Sequence, residues 1–176
     1  EKLEQGLDNL YLTPRFNFAF DEKGLEAVIG QIQQMFPDPE KPVDIVAVDP
    51  FRNIYQSGLS EGDLNEDLMA FFQKRLELLL RKLNPQAGLI IAHHTNKITG
   101  KMLHDDPMAA VSGGGAILSY PTSLSVLGRS CEEEGSPLIL WSELRNGPAL
   151  GHRLLTKKEG MWCEMNQTDM RLVREQ

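Results

Sequence analysis

The chain has 176 residues, of which 41% are apolar and 24% are charged. This composition suits one packed domain and excludes both a disordered chain and a repeat array. The 25 acidic and 18 basic residues give a net charge of −7, which excludes a surface that wraps duplex DNA by charge alone. No apolar run approaches the roughly 20 residues of a membrane helix, so no membrane partner is expected. The two cysteines, Cys131 and Cys163, are far apart and indicate a reducing cytoplasm.

The first quarter of the chain alternates strand and helix patterns. Residues 9–13 (NLYLT) are short, apolar and rich in strand formers, which predicts a strand. Apolar residues within 25–36 recur at helical spacing, and Pro37 ends the predicted helix. Residues 43–48 (VDIVAV) form a run that is typical of a strand buried on both faces of a parallel sheet, and Asp49 follows this run directly.

A strand, a helix and a second strand then predict a βαβ unit. The helix begins at Asp63, with Glu66 as its capping partner, and its apolar stripe keeps strict helical register for five turns. The second strand is predicted at residues 88–92. A right-handed crossover makes the two strands parallel, so their carboxyl ends share the edge of the sheet at which ligands bind. Asp49 and residues 93–97 are therefore expected to face the same crevice.

The second half of the chain carries shorter elements. A glycine turn at residues 112–115 precedes a short helix at 116–120 and a third candidate parallel strand at 123–127. Turn sequences separate further short strands, which predict an antiparallel extension on one edge of the sheet, at residues 138–143, 152–156 and 161–164. Residues 168–176 are polar and are predicted to form a tail.

Asp49 is the first residue with a chemical role to consider. An acidic residue directly after a buried strand is costly unless its charge is compensated, and Mg²⁺ bound to the phosphates of a nucleotide is a common compensator. The alternative is that Asp49 caps the turn before Pro50. A zinc site formed with His93, His94 and His104 is disfavoured, because adjacent histidines on a strand point apart.

Residues 93–97 (HHTNK) follow the second strand of the βαβ unit. Alternate pointing along the chain sends one of His93 and His94 toward the core and the other toward the crevice. A neutral imidazole, the Asn96 carboxamide and the Lys97 ammonium can sense a terminal phosphate by hydrogen bonds and charge. The alternative is that His93 is a core histidine and Lys97 a solvated loop residue.

Two loops contain the remaining candidate residues. The glycine turn at 112–115 offers backbone N–H groups, but it lacks the GxxxxGK[ST] spacing of a phosphate loop, which occurs nowhere in the chain. Arg145 lies in a tight turn, ELRNGP at residues 143–148, from which a guanidinium can project toward a neighbouring molecule. The alternative is an ordinary surface arginine.

Taken together, these segments resemble the RecA-like ATPase core of ring helicases, the DnaB and RepA-type replicative helicases. The likeness covers residues 9–164. Residues 43–50 resemble the Walker B strand, which implies that Asp49 holds Mg²⁺. Residues 94–97 resemble the strand-end motif that senses the γ-phosphate, which implies His94 as the sensor. The RNGP turn resembles that of the DnaB family, whose arginine, here Arg145, reaches the ATP site of the adjacent subunit.

The resemblance implies an α/β fold, a RecA-like P-loop NTPase core with a parallel sheet, helices on both faces and a C-terminal antiparallel extension. Residues 1–167 would be a partial ATPase domain without the Walker A half, and residues 168–176 its polar tail. ATP and Mg²⁺ are the implied cofactors, with Asn96 and Lys97 beside the nucleotide. The implied partners are identical subunits in a hexameric ring and single-stranded DNA, which the loop at 98–111 would contact through Lys97 and Lys101.

Two departures keep other functions open. The family turn carries a lysine where this chain has Glu143, and no Walker A lysine precedes Val43 within its 42 upstream residues. We therefore expect the C-terminal part of a longer ATPase, which does not hydrolyse ATP by itself. The main expectation is an ATP-dependent DNA helicase of replication. The alternatives are a RecA/RadA-like recombination or repair ATPase and an assembly or loading subunit that has lost nucleotide turnover.

Overall fold

A computed structural model describes residues 9–12, 20–55, 57–59, 63–96, 105–113, 115–130 and 135–165. The chain divides into two compact units. The first unit comprises residues 1–56 and 73–92, and the second comprises 57–72 and 93–176. The predicted tail at 168–176 lies outside the described residues, as do Lys97, Lys101 and His104.

In its described residues, the first unit contains two α-helices, a 3₁₀ turn (Phe51–Asn53) and a parallel strand pair. Helix α1 (Glu22–Met35) begins because the Asp21 side chain accepts a hydrogen bond from the Gly24 N–H, 2.9 Å away. Strand β1 (Ile45–Val48) pairs in parallel with β2 (Gly88–Ile91). The predicted helix and the predicted parallel pairing are confirmed, and β1 starts two residues later than the sequence pattern indicates.

One face of the β1–β2 pair is open. Ile45 is 59% exposed and Ile90 is 56% exposed, whereas Val46 and Leu89 on the opposite face are half-buried. The prediction of a strand buried on both faces is therefore wrong for β1. The β-branched composition of this segment reports its strand conformation, not its burial.

The long predicted helix is divided into three parts: α2 (Leu64–Phe71), a π-helical turn (Phe72–Leu76) and α3 (Glu77–Leu83). Asp63 is its N-cap and accepts from the N–H groups of Asn65 and Glu66, so the predicted start is confirmed. The strict register over five turns is wrong, because a π-helical turn widens the spiral. The fully buried part of its predicted stripe is Leu68, Phe71, Phe72, Leu76 and Leu79, while Leu64 is exposed.

Among its described residues, the second unit contains α2, a 3₁₀ turn (Pro107–Ala110), the short helix α4 (Gly115–Ser119) and four strands. These strands, β3 (Ser123–Arg129), β4 (Leu138–Leu144), β5 (Arg153–Lys158) and β6 (Met161–Glu164), form an antiparallel sheet in that order. Its core is formed by Ala110, Val126, Ile139 and Leu154. On α2, the buried Asp67 accepts from the N–H groups of Gly58 and Leu59.

The RecA-like fold expectation is wrong for the described residues. The parallel sheet has two strands, and the strand predicted at 123–127 is not its third member: β3 pairs antiparallel with β4, in a separate four-stranded sheet. The physical reason lies in β3 itself. Ser123 and Ser125 are exposed while Val126 is buried, and such alternation suits an antiparallel sheet with one wet face. The antiparallel pairing of the later strands is confirmed, but the prediction that they extend one edge of the parallel sheet is wrong, because they pair with β3 in the separate sheet.

The strand predicted at residues 9–13 is also wrong for its described part, residues 9–12. A strand needs a hydrogen-bonded neighbour, and this segment is held instead by a ring contact. The rings of Tyr11 and Phe36 meet edge to face with centroids 4.5 Å apart. Within the described part of the chain, no helix is long and apolar enough to cross a membrane.

Candidate functional site

Asp49 lies at the carboxyl end of β1 and is exposed. The backbone ladder between β1 and β2 continues on both sides of Asp49. The Ala92 N–H donates to the Val48 carbonyl, and the Phe51 N–H donates to the Ala92 carbonyl, each at 2.8 Å. Phe51 is 2% exposed and anchors the chain just beyond the Asp49–Pro50 bond, which is cis. The ladder and this anchor hold the backbone at Asp49, while the carboxylate is open to solvent.

His93 and His94 differ in their surroundings, as alternate pointing requires. His93 is half-buried, and its Nε2 lies 2.9 Å from the Ser112 carbonyl oxygen, so this nitrogen carries the hydrogen and donates it. His94 is exposed. Of the two, His94 is the ring that a ligand in solvent can reach, and His93 is a structural ring that fixes the segment.

The histidine segment pairs with the chain that precedes the glycine turn. Thr95 forms an antiparallel bridge with Val111, and the Asn96 N–H donates to the Ala110 carbonyl at 2.7 Å. The Asn96 side chain is exposed. This pairing brings the predicted sensor segment and the glycine turn together, which the sequence pattern did not indicate.

The glycine turn serves packing in this structure. Gly113 has a φ of +101°, a conformation that strains any other residue, and a Cβ there would lie 2.6 Å from Cδ1 of Ile117, so the end of that side chain would have to shift. The Ala116 N–H at the start of α4 donates to Oδ1 of Asn65, 3.0 Å away. Asn65 is a residue that sequence reasoning missed, since its position in the first turn of α2 carries no signal for a partner 51 residues away.

Arg145 is exposed and directly follows β4. Its N–H donates to the Thr122 carbonyl at 2.9 Å, which ties the turn to the residue before β3. The next turn residues pack closely: a Cβ on Gly147 would lie 2.7 Å from Cδ1 of Leu144. The RNGP turn therefore needs its glycine, and it presents Arg145 from a backbone that is held on the neighbouring strand. Glu143, also exposed, lies two residues earlier.

The predicted residues divide between the two units. Asp49 belongs to the first unit, while His93, His94, Asn96 and Arg145 belong to the second. Among the residues that the structure describes, no group of three or more His, Cys, Asp or Glu side chains is arranged to hold a metal ion.

The predicted pore loop at 98–111 is described only from residue 105 onward. Asp105 and Asp106 are exposed, and Asp106 caps the following 3₁₀ turn by accepting from the N–H groups of Met108 and Ala109. Asp106 therefore has a structural role in this loop. The chain matches no protein-family model, and a comparison with curated proteins finds no significant match.

Proposed function

We propose that this chain is part of an ATP-dependent DNA helicase that acts in the cytoplasm as a hexameric ring and couples ATP hydrolysis to movement on single-stranded DNA in replication. The observation that carries the proposal is the parallel pairing of β1 and β2 with an exposed carboxylate, Asp49, directly after β1. The carboxyl edge of parallel strands is where α/β proteins bind phosphate-bearing ligands.

Asp49 is the residue proposed to bind the magnesium ion of Mg·ATP. Mg²⁺ commonly takes one or two carboxylates together with substrate phosphates and waters, so a single exposed carboxylate on a fixed backbone fits this role. When bound, the ion neutralises charge on the β- and γ-phosphates. The exposure of Asp49 and the ladder bonds on either side of it support a ligand role over a purely structural one.

His94 is proposed to sense the γ-phosphate, with Asn96 and Lys97 beside it. An exposed imidazole can donate a hydrogen bond to a phosphate oxygen, and the exposed Asn96 carboxamide can donate another. His93 supports this role indirectly. Its bond to the Ser112 carbonyl, with the Thr95–Val111 bridge, holds the backbone from which His94 projects.

Arg145 is proposed to act in the neighbouring subunit of the ring. Phosphoryl transfer benefits from a cation that meets the charge developing on the transferred group, and an arginine from an adjacent subunit is a common source. The bond from the Arg145 N–H to Thr122 and the close packing of Gly147 support the role, because they fix the backbone of an exposed arginine.

Glu143 favours a second candidate, a subunit of the same assembly that no longer turns over nucleotide. It is exposed on β4, two residues before Arg145, where the resemblance expects a lysine. A carboxylate there opposes the attraction between this turn and phosphate. If the intact protein assembles but does not hydrolyse ATP, this second candidate is the correct one.

The first test measures ATP turnover by the intact protein that contains this chain, with and without single-stranded DNA. We expect Asp49→Asn to lower turnover by at least about a hundredfold, in line with the loss of a metal-mediated electrostatic contribution. The matched control is Asp44→Asn, because Asp44 is an exposed aspartate at the other end of β1. Equal turnover in the two variants would contradict the role of Asp49.

A second test mixes wild-type and Arg145→Ala subunits of the intact protein. An arginine that acts across a subunit interface makes one altered subunit disable its neighbour, so turnover should fall more steeply than the mole fraction of variant. Arg81→Ala, at an exposed arginine of α3, is the control and should leave turnover unchanged. A strictly proportional loss with Arg145→Ala would rule out the role in the neighbouring subunit.

A further inference from the structure

We propose that the outer face of the four-stranded antiparallel sheet binds single-stranded DNA, with Trp162 as a stacking platform for a base and Lys157 and Arg153 as phosphate contacts. This face is a second nucleic-acid surface, separate from the loop at 98–111 and from the nucleotide residues. That the bound polymer is DNA rests on the proposed function, while the surface itself rests on the geometry below.

The sheet has two unlike faces, which the strand register defines. The inner face carries Val126, Ile139 and Leu154, which are at most 7% exposed and pack with Ala110. On the outer face the alternate residues are half-buried or exposed. They are Ser123, Ser125, Leu127 and Arg129 of β3, Leu138, Leu140, Ser142 and Leu144 of β4, Arg153, Leu155 and Lys157 of β5, and Trp162 and Glu164 of β6.

The β5–β6 hairpin places an aromatic ring beside a cation. Lys157 and Trp162 are directly opposite in the register, so both side chains project from the outer face. Trp162 is 52% exposed, an unusual exposure for the largest apolar side chain. The next pair, Lys158 and Met161, projects from the other face, and both of its members are exposed as well.

The charge of the outer face is opposite to that of the chain. Its described strands carry three cations, Arg129, Arg153 and Lys157, against one carboxylate, Glu164, while the whole chain has a net charge of −7. Nη1 of Arg153 lies 3.6 Å from Oε2 of Glu164, and both side chains are more than half exposed. Such an ion pair is weak, so Arg153 can exchange Glu164 for a phosphate.

The chemistry of this face fits a single strand better than a duplex. A single strand offers unstacked bases to Trp162 and spaced phosphates to the flanking cations, which is the combination that single-strand binders use. A duplex hides its base faces, and a chain with a net charge of −7 lacks the dense basic surface that a duplex requires. The half-buried leucines between the strands add apolar contact for bases or sugars.

The test titrates the 176-residue chain with oligo(dT) in the absence of nucleotide and follows tryptophan fluorescence. The chain has two tryptophans, and Trp141 lies on the inner face against the sheet core. We expect oligo(dT) to quench Trp162 and not Trp141. Trp162→Phe should keep binding, measured by anisotropy of a labelled oligonucleotide, but abolish the quench. Heparin, a polyanion without bases, should leave the fluorescence unchanged.

Matched variants separate the two faces of the hairpin. Trp162→Ala should weaken oligo(dT) binding at least about fivefold, the lower end of base–aromatic stacking. Met161→Ala, one residue away on the opposite face, should change it less than about twofold. Lys157→Gln should reduce the slope of log affinity against log salt concentration by about 0.7, the value for one phosphate contact on a single strand, whereas Lys158→Gln should leave the slope unchanged.

Three results would overturn the proposal. They are no oligo(dT) binding by the chain, equal effects of the Trp162 and Met161 variants, and binding of a blunt duplex as tight as that of the single strand. The outcome is independent of the nucleotide residues. Asp49→Asn should leave oligo(dT) binding intact, so a failure of the ATPase proposal and a failure of this surface appear in different measurements.

Discussion

The two sheets of this protein differ in how far their apolar side chains are buried. In the parallel β1–β2 pair, Ile45 and Ile90 are 59% and 56% exposed, although parallel strands are commonly buried on both faces. In the antiparallel sheet, Val126 and Ile139 are 2% and 5% exposed, and they form one continuous core with Ala110. The comparison shows that the second sheet is stabilised by its own side-chain core. The first is joined by its parallel backbone ladder, and its two exposed isoleucines add little buried surface to it.

The prediction with the largest expected effect makes the same change, isoleucine to alanine, in each of the two sheets. Ile139→Ala removes a buried side chain from the antiparallel core and should lower the free energy of unfolding by about 2–5 kcal/mol. Ile90→Ala removes an exposed side chain from the parallel pair and should cost less than about 1 kcal/mol. Urea unfolding followed by circular dichroism measures both. Equal losses would show that the face bearing Ile90 is buried in solution and would break the comparison.

The next prediction, which has a smaller expected effect, uses two glycine substitutions to test whether the close packing of the second unit reaches the histidine segment. Gly113→Ala and Gly58→Ala both place a side chain at positive φ, at +101° and +90° respectively. Only the Gly113 variant also meets a neighbour, Cδ1 of Ile117. It should therefore be less stable than the Gly58 variant by about 1 kcal/mol, the lower end of the cost of overpacking, because Cδ1 is the flexible end of the Ile117 side chain. Identical thermal midpoints would mean that Ile117 moves freely and that the segment is loosely packed.

The prediction with the smallest expected effect compares the N-cap residues of one helix in each unit. Asp63 accepts hydrogen bonds from two backbone N–H groups, whereas Asp21 accepts from one. Asp63→Ala should cost about 1–2 kcal/mol and Asp21→Ala about 0.5–1 kcal/mol, within the range for N-cap replacement. Denaturant midpoints of the two variants give the ranking. A larger loss with Asp21→Ala would reverse it and would assign the greater cap contribution to the first unit.

Local sequence signals predicted local structure well. Asp63 before an apolar stripe gave the start of α2, and the apolar runs gave β1 and β2 within two residues. The turn predicted between the last two strands is confirmed, and it lies at Glu159 and Gly160 between β5 and β6. These features depend on hydrogen bonds and side-chain periodicity within a few residues, so a single sequence contains them.

The partners of the strands were less predictable. Ser123 and Ser125 alternate with apolar residues, and this signal for a one-sided antiparallel strand was outweighed by the expectation of a repeating βα order. Residues 9–12 have strand-forming side chains but no strand neighbour in the described structure, and composition cannot supply one. Pairing is decided by residues far apart in the chain, and a single sequence does not encode it locally.

The candidate site shows the same division. The difference in exposure between His93 and His94 follows from alternation along an extended chain and was expected. The long-range contacts around the histidine segment were not expected, because His93 bonds to the Ser112 carbonyl 19 residues away, and the Asn65 carboxamide holds the start of α4 through Ala116, 51 residues away. The roles of Asp49, His94, Asn96, Lys97 and Arg145 toward a nucleotide remain predictions from the sequence resemblance and the proposal above.

The π-helical turn at Phe72–Leu76 determines where this helix can lose one residue without changing its packed face. Such a turn is equivalent to one residue inserted into a regular spiral, and each residue rotates an α-helix by about 100°. Removing one residue within this turn would restore ordinary winding upstream and downstream without turning Leu79 away from its packed side. The same deletion a few positions earlier, within α2, would rotate every following side chain. The π-helical turn is therefore the position at which this helix can be one residue shorter and keep its packing.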